Sequence, residues 1–270
     1  MKEKRFKEII WDYYKKSGRH DLPWRKTHDP YRILVSEVML QQTQVSRVLK
    51  KYEEFLKKFP SIRALAKAPQ VDVLRVWQGL GYNRRALLLK RTAETIVSNF
   101  GGTFPKTSEE LESLPGIGQS TRGALMAFAF SRPTVFIETN IRSVFIHFFF
   151  KDGKKVSDKD VLPLIEKTLD QENPREWYYA LMDYGLYLKQ TMLNPSRKSA
   201  HHIRQSPFKG SNREVRAKIL RFVISKAKNG AKKLDIIEHI GDTKHDVAKN
   251  IDKLTKEGFM RETRGTYSAY

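Results

Sequence analysis

Glu37 sits in "SEVMLQQTQV", within an apolar run that repeats at helical spacing. A carboxylate is normally excluded from such a position unless it is paired or used. Burial would raise its pKa and let it hold a proton at neutral pH, as a general acid must. A salt-bridged core glutamate fits the same pattern, and this stretch alone leaves both readings open. A second acid, Glu138, stands with Asn140 in "FIETNI", a polar pair between apolar flanks. In "LPGIG", Leu114 to Gly118, two glycines spaced by one apolar residue let the chain turn sharply with backbone N–H groups outward. Together with the N-terminus of a helix opening near Gln119, those amides suit a phosphate. A helix stop followed by a tight turn explains the glycine pair equally well.

Charge narrows the partner. The chain carries 51 Lys and Arg against 30 Asp and Glu, a formal net charge of +21. That surplus suits a polyanion, because each neutralised phosphate releases condensed counterions. Gln41, Gln42 and Thr43 then read as polar groups within reach of base edges. Tyr82, presented by the glycine turn "GLGY", can stack on or wedge between bases, with Arg84 and its neighbours in "NRRALLLKR" meeting phosphates. The sequence contains no cysteine, which excludes disulfides, thiol nucleophiles and cysteine-ligated zinc or iron–sulfur clusters. His201 and His202 are adjacent, but with no cysteine near and no carboxylate between them they read as solvated or phosphate-facing. No apolar run approaches the roughly 20 residues that span a bilayer. The basic start "MKEKRFKEIIWDYYKK" lacks the apolar centre of a signal peptide and reads as a first helix. A cytoplasmic, nucleoid-associated protein is expected.

The elements that must position these residues are helices. Apolar residues recur every three or four positions in "YRILVSEVMLQQTQVSRVLKKYEEFLKKF" and "VLPLIEKTLDQENPREWYYALMDYGLYL". Short breaks such as "RHDLPW", "GGTFPKT" and "DGKK" separate them, as in an all-helical domain with compact connections. In "PKTSEELESLPGIG", Thr107 or Ser108 can cap a helix that opens with two glutamates. Periodicity lapses over 194–213, which reads as a basic linker. The tail, 214–270, reads as a helix over 214–228, two further helices, and two short strands around Arg264-Gly265. That is the winged-helix pattern, whose third helix commonly enters a DNA groove.

Taken in order, "LPWR", "SEVMLQQTQV", "GLGY", "LPGIGQST" and "MDYG" resemble the helix–hairpin–helix (HhH-GPD) DNA glycosylase superfamily over about residues 5–190. The resemblance is nearest to the MutY-type adenine DNA glycosylases. It implies a two-lobed all-α glycosylase domain, 1–193; the linker, 194–213, and the small α+β winged-helix DNA-binding domain, 214–270, come from the pattern of the tail, where the winged helix replaces the family's usual C-terminal module. It also implies base-excision repair of double-stranded DNA by a monomer that flips a mispaired or damaged base into a pocket. By the family pattern Glu37 protonates adenine at N7 and later handles the water, while Asn140 fixes the acid and the water. Arg19 and Trp24 line the base pocket, with Gln41 beside them. Gln42 and Tyr82 enter the duplex. Leu114, Gly116, Gly118 and Gln119 hold a phosphate, with Arg84 and Arg142 on the backbone. The family's hairpin can also hold a cation through its carbonyls.

Three departures accompany the resemblance. Glu138 stands where the family has an aspartate that faces the developing sugar cation, so the charge sits about one bond further out on a more flexible chain. Ser120 occupies the place of the lysine that bifunctional relatives use for strand cleavage, and Arg142 does not replace that amine. A monofunctional enzyme is expected. Lys189 falls where the first cluster cysteine would be, so no iron–sulfur cluster is expected. Adenine opposite 8-oxoguanine or guanine is the expected target. The alternatives are another damaged or deaminated base, an abasic site, or a lesion-sensing protein with a degenerate acid site.

Overall fold

The computed structural model describes residues 1–150, 155–203, 205–226 and 229–269. Arg204 in the basic segment, residues 227 and 228 of the helix expected over 214–228, Tyr270 and most of the "DGKK" break lie outside the described residues.

The three- and four-residue apolar spacing does become helix. The first hundred residues form α1 (Glu3–Ser17), α2 (Pro30–Leu40), α3 (Val45–Lys58), α4 (Ile62–Lys67), α5 (Gln70–Trp77) and α6 (Arg84–Asn99). Then come α7 (Ser108–Glu112), α8 (Gln119–Phe128), α9 (Thr139–Phe149), α10 (Asp158–Thr168) and α11 (Pro174–Thr191). The tail holds α12 (Asn212–Ser225), β1 (Ala231–Lys232), α13 (Lys233–Ile240), α14 (Val247–Lys256), β2 (Met260–Thr263) and β3 (Thr266–Ala269). Thr107, rather than Ser108, caps α7. Its hydroxyl accepts from Glu110 N at 3.3 Å while the Glu110 carboxylate accepts from Thr107 N, a reciprocal capping box.

Two compact units result, Met1–Val38 with Phe104–Ile203, and Met39–Thr103 with Arg204–Tyr270. The first is built around α11, which packs on α9, α1 and α8. Phe6 of α1 meets Phe145, Phe148 and Phe149 of α9 at ring distances of 5.2, 5.2 and 5.1 Å. Trp177 and Tyr178 of α11 are fully buried. Each such ring contributes about 2–3 kcal/mol by leaving water. In the basic segment, Pro195–Lys198 forms a short 3-10 helix and Ser199 bridges to Val156 in parallel.

In the second unit α3, α5 and α6 enclose Trp77 and Phe55, whose rings meet edge-on at 6.0 Å. The tail adds a three-stranded antiparallel sheet ordered β1-β3-β2. With α12, α13 and α14 this is winged-helix topology. Thr263 pairs with Thr266, leaving Arg264 and Gly265 as a two-residue turn with φ of 52° and 75°. Both signs are positive, the backbone of the hairpin turn that matches strand twist. β1 is a strand that the sequence reading lacks, since two residues are too few to show alternation. Gln70 Nε2 donates to the Gly258 carbonyl at 2.7 Å, tying α5 to the chain just beyond α14.

Candidate active site

Glu37 points from the apolar helix α2, where Leu34, Val35 and Val38 are buried and Glu37 itself is partly so. Dry surroundings disfavour its charged form, and the negative charge of Glu138 adds to that effect, while Arg25 opposes both. The carboxyl is pushed up to about 8. Glu37 therefore keeps its proton at neutral pH.

Glu138 is the N-cap of α9. One carboxylate oxygen accepts from Asn140 N at 2.7 Å and Ile141 N at 2.9 Å, and the other accepts from Asn140 Nδ2 at 3.3 Å. Aspartate is the usual length for such a cap. Here the additional methylene is absorbed by folding the side chain back onto its own helix. The free amides of the helix end, rather than chain length, locate the negative charge.

Asn140 is held in turn from α11. Lys189 Nζ donates to Asn140 Oδ1 at 2.7 Å. A Cβ placed on Gly185 would lie 2.4 Å from the Asn140 carbonyl oxygen, so only glycine lets α11 come this close to α9. On the neighbouring turn of α11, Asp183 is buried among guanidiniums. Arg25 reaches its two oxygens at 2.7 and 2.8 Å, while Arg19 adds its backbone N at 2.8 Å and Nε at 2.7 Å. These partners outweigh burial and hold Asp183 below the ordinary carboxylate range. Arg175 fixes the "LPWR" loop from below, donating to the carbonyls of Arg25 at 3.0 Å and Thr27 at 2.7 Å. Trp24 is buried beside them.

In the 114–118 turn, Leu114 and Ile117 are buried while Gly116, Gly118, Gln119 and Ser120 are exposed. Gly116 has φ +79°. A Cβ on Gly118 would meet nothing within 4 Å, so internal packing does not demand glycine there. The bare backbone at the start of α8 faces open space, as an approaching phosphate requires.

A model of the HhH-GPD superfamily of base excision DNA repair proteins matches residues 35–170. The chain belongs to that superfamily. The adenine DNA glycosylase of Buchnera aphidicola subsp. Baizongia pistaciae is 36% identical over 184 residues, 67% of this chain and 52% of that protein. The thymine/uracil-DNA glycosylase of Pyrobaculum aerophilum is 31% identical over 187 residues, 67% of this chain and 81% of that protein. The chain spans about half the length of the Buchnera adenine glycosylases that it matches. A solved thermostable thymine-DNA glycosylase shares the fold with a TM-score of 0.63 at 26% identity, covering 73% of this chain and 92% of that one.

An iron–sulfur cluster held by cysteine needs thiolates. This HhH-GPD chain has no cysteine, and Lys189 is engaged with Asn140, so its residues do not fit that group. Among the described residues no three His, Cys, Asp or Glu side chains gather as a metal site.

The duplex-facing candidates fall in the second unit. Gln41, Gln42 and Tyr82 are exposed, and the last two hold left-handed backbones, φ 54° and 47°. Such strain at non-glycine residues persists where surrounding structure enforces it. Arg85 does the enforcing. Its buried guanidinium donates to the carbonyls of Met39 at 2.9 Å, Gln41 at 2.6 Å and Gly81 at 3.0 Å, clamping both loops together. Arg84 is exposed at the first turn of α6. Arg142, in the first unit, forms a two-pronged pair with Asp158 at 2.6 and 2.8 Å, so its guanidinium faces a carboxylate where a phosphate was expected.

Sequence reading passed over Arg25, Asp183, Arg213 and Gln205, read Lys189 only as a missing cysteine, and read Arg85 among the arginines that meet phosphate, whereas its buried guanidinium is engaged by the carbonyls of Met39, Gln41 and Gly81. Arg213 Nη1 donates to Tyr82 Oη at 3.0 Å, and Gln205 Nε2 to Gln42 Oε1 at 3.3 Å. Of the residues passed over, only Arg25 and Asp183 stand in quoted motifs, "LPWR" and "MDYG", and neither motif says that its charged residues pair.

Proposed function

We propose that the chain is a monofunctional DNA glycosylase that hydrolyses the N-glycosidic bond of a flipped base, with adenine opposite 8-oxoguanine or guanine as the first target. The observation that carries this reading is the carboxyl pair. Glu37, held towards its protonated form by burial, lies within electrostatic reach of Glu138, whose carboxylate accepts three hydrogen bonds. Glu37 gives its proton to the base, at N7 in adenine, and the glycosidic electron pair leaves with the base. The cation left on the sugar faces Glu138. Water then attacks C1′, and Glu37, now ionised, takes its proton. The hairpin backbone grips a phosphate and is the place for any bound cation, while Tyr82 and Gln42 enter the duplex.

Ser120 offers no amine for an imine with the sugar, hence release of base without strand cleavage. The winged helix lengthens the basic footprint on duplex DNA, and the chain acts as a monomer at the nucleoid. No helix among the described residues is long and apolar enough to cross a membrane.

A second reading, thymine or uracil as the excised base, is favoured by the fuller coverage of the Pyrobaculum relative. The test is incubation with duplexes holding A:8-oxoguanine, A:G, T:G, U:G, hypoxanthine or an abasic site, resolved with and without alkali. Alkali-dependent breaks at adenine support the first reading, and breaks at T:G or U:G the second. Breaks without alkali contradict monofunctionality. No product from any duplex leaves a DNA-binding sensor.

A further inference from the structure

Lys189 is a long cationic side chain that the reaction above does not use. Its surroundings are specific. It sits in the last turn of α11, four residues after Gly185 and therefore on the same helix face. Because Gly185 lets α11 press against the Asn140 backbone, the side chain one turn later reaches the Asn140 amide at 2.7 Å. Glu138 and Arg142 also act on it, and Arg142 is already paired to Asp158. Lys189 is partly buried, so this contact is not a loose surface ion pair.

An asparagine amide has an acceptor end and a donor end, and either can face a neighbour. A cation against Oδ1 removes that choice. Nδ2 must then turn towards Glu138, where it donates to the carboxylate oxygen that the helix amides do not hold. With the amide reversed, an oxygen would face that carboxylate, a repulsive contact that pushes the charge off its place. We propose that Lys189 is a positioning residue for glycosidic-bond cleavage: its ammonium locks the Asn140 amide in the one orientation that fixes both oxygens of Glu138 beside the sugar.

This role rests on the glycosylase reading and names what orients its charge-stabilising carboxylate. In bifunctional relatives a lysine attacks the sugar. Here the lysine acts through an amide and touches no reacting atom.

The experiment is single-turnover base release on whichever duplex the wild type cleaves, with DNA affinity and thermal unfolding measured on each variant. Lys189→Met keeps the aliphatic stem without the donor and is expected to slow release ~10-fold or more, since sub-ångström misplacement of a reacting group is that expensive. DNA affinity should stay within about threefold. Lys189→Arg, which restores a cationic donor, should recover most of the rate and keeps the test open if Lys189→Met folds poorly. The decisive arm is Asn140→Ala. In that background Lys189→Met should have no further effect, because the residue through which it acts is gone. Wild-type rates in Lys189→Met, or equal slowing with and without Asn140, would overturn the role. A wild-type protein that releases no base from any duplex would instead sink the glycosylase reading, and this role with it.

Discussion

Replacing Glu37 with glutamine separates its two properties, a proton to give and a charge that the site resists. The folded carboxyl titrates near 8, against an ordinary value of 4.5. Its folded pKa lies above its unfolded one, so the native state binds the extra proton between those values. Stability contributed by that proton is full below pH ~4.5 and falls as pH rises towards 8. A shift of this size amounts to at most about 5 kcal/mol above pH 8, of which about 3 kcal/mol is lost between pH 5.5 and 8.5. Glutamine is nearly isosteric with the protonated acid and cannot ionise. The Glu37→Gln protein should therefore melt close to wild type at low pH. It should melt higher at pH 8.5, by on the order of 5–10 °C. Base release should vanish while DNA affinity stays nearly intact. In the wild type, the single-turnover rate should fall as pH passes through ~8 and Glu37 loses its proton. The assay is thermal unfolding of both proteins at pH 5.5 and 8.5, beside single-turnover release across the same range. Parallel pH dependence of the two melting curves would refute the burial argument. Base release by Glu37→Gln would refute the assignment of the acid.

Other perturbations test neighbouring parts. Gly185→Ala puts a Cβ 2.4 Å from the Asn140 carbonyl, so it should cost about 1–3 kcal/mol in denaturant unfolding and slow base release ~10-fold or more. Asp183→Asn leaves Arg19 and Arg25 short of their counter-charge and should destabilise by about 3–5 kcal/mol at neutral pH. The wild type's own advantage from Asp183, whose pKa is depressed, should fade only as pH falls below the ordinary carboxylate range, which acid unfolding of the two proteins will show. Ser120→Lys should yield a borohydride-trapped covalent complex with DNA where wild type yields none; an untrapped variant would remove position 120 from reach of the sugar.

Legibility followed distance along the chain. The helices of residues 1–190, the Thr107 cap, the glycine turn at 114–118 and the Arg264-Gly265 hairpin all arise from interactions spanning a few residues, and local patterns reported them. β1 was lost because its pairing with β3 joins Ala231 to Tyr267. The Arg25–Asp183 pair spans 158 positions and the Lys189–Asn140 contact 49, so no local window contains both members of either. Arg142, read from the sequence as a phosphate contact, is paired in two prongs with Asp158, a partner 16 positions away that its own stretch does not show.

Composition and order alone determined that this chain would be mostly helical, strongly cationic, free of thiolates, and equipped with two acids at Glu37 and Glu138. Which of those acids carries a proton was decided only by folding. A carboxyl's ionisation depends on the dielectric and charges around it, and for Glu37 these are the dry face of α2, the Glu138 carboxylate and the Arg25 guanidinium, brought together from 101 and 12 positions away.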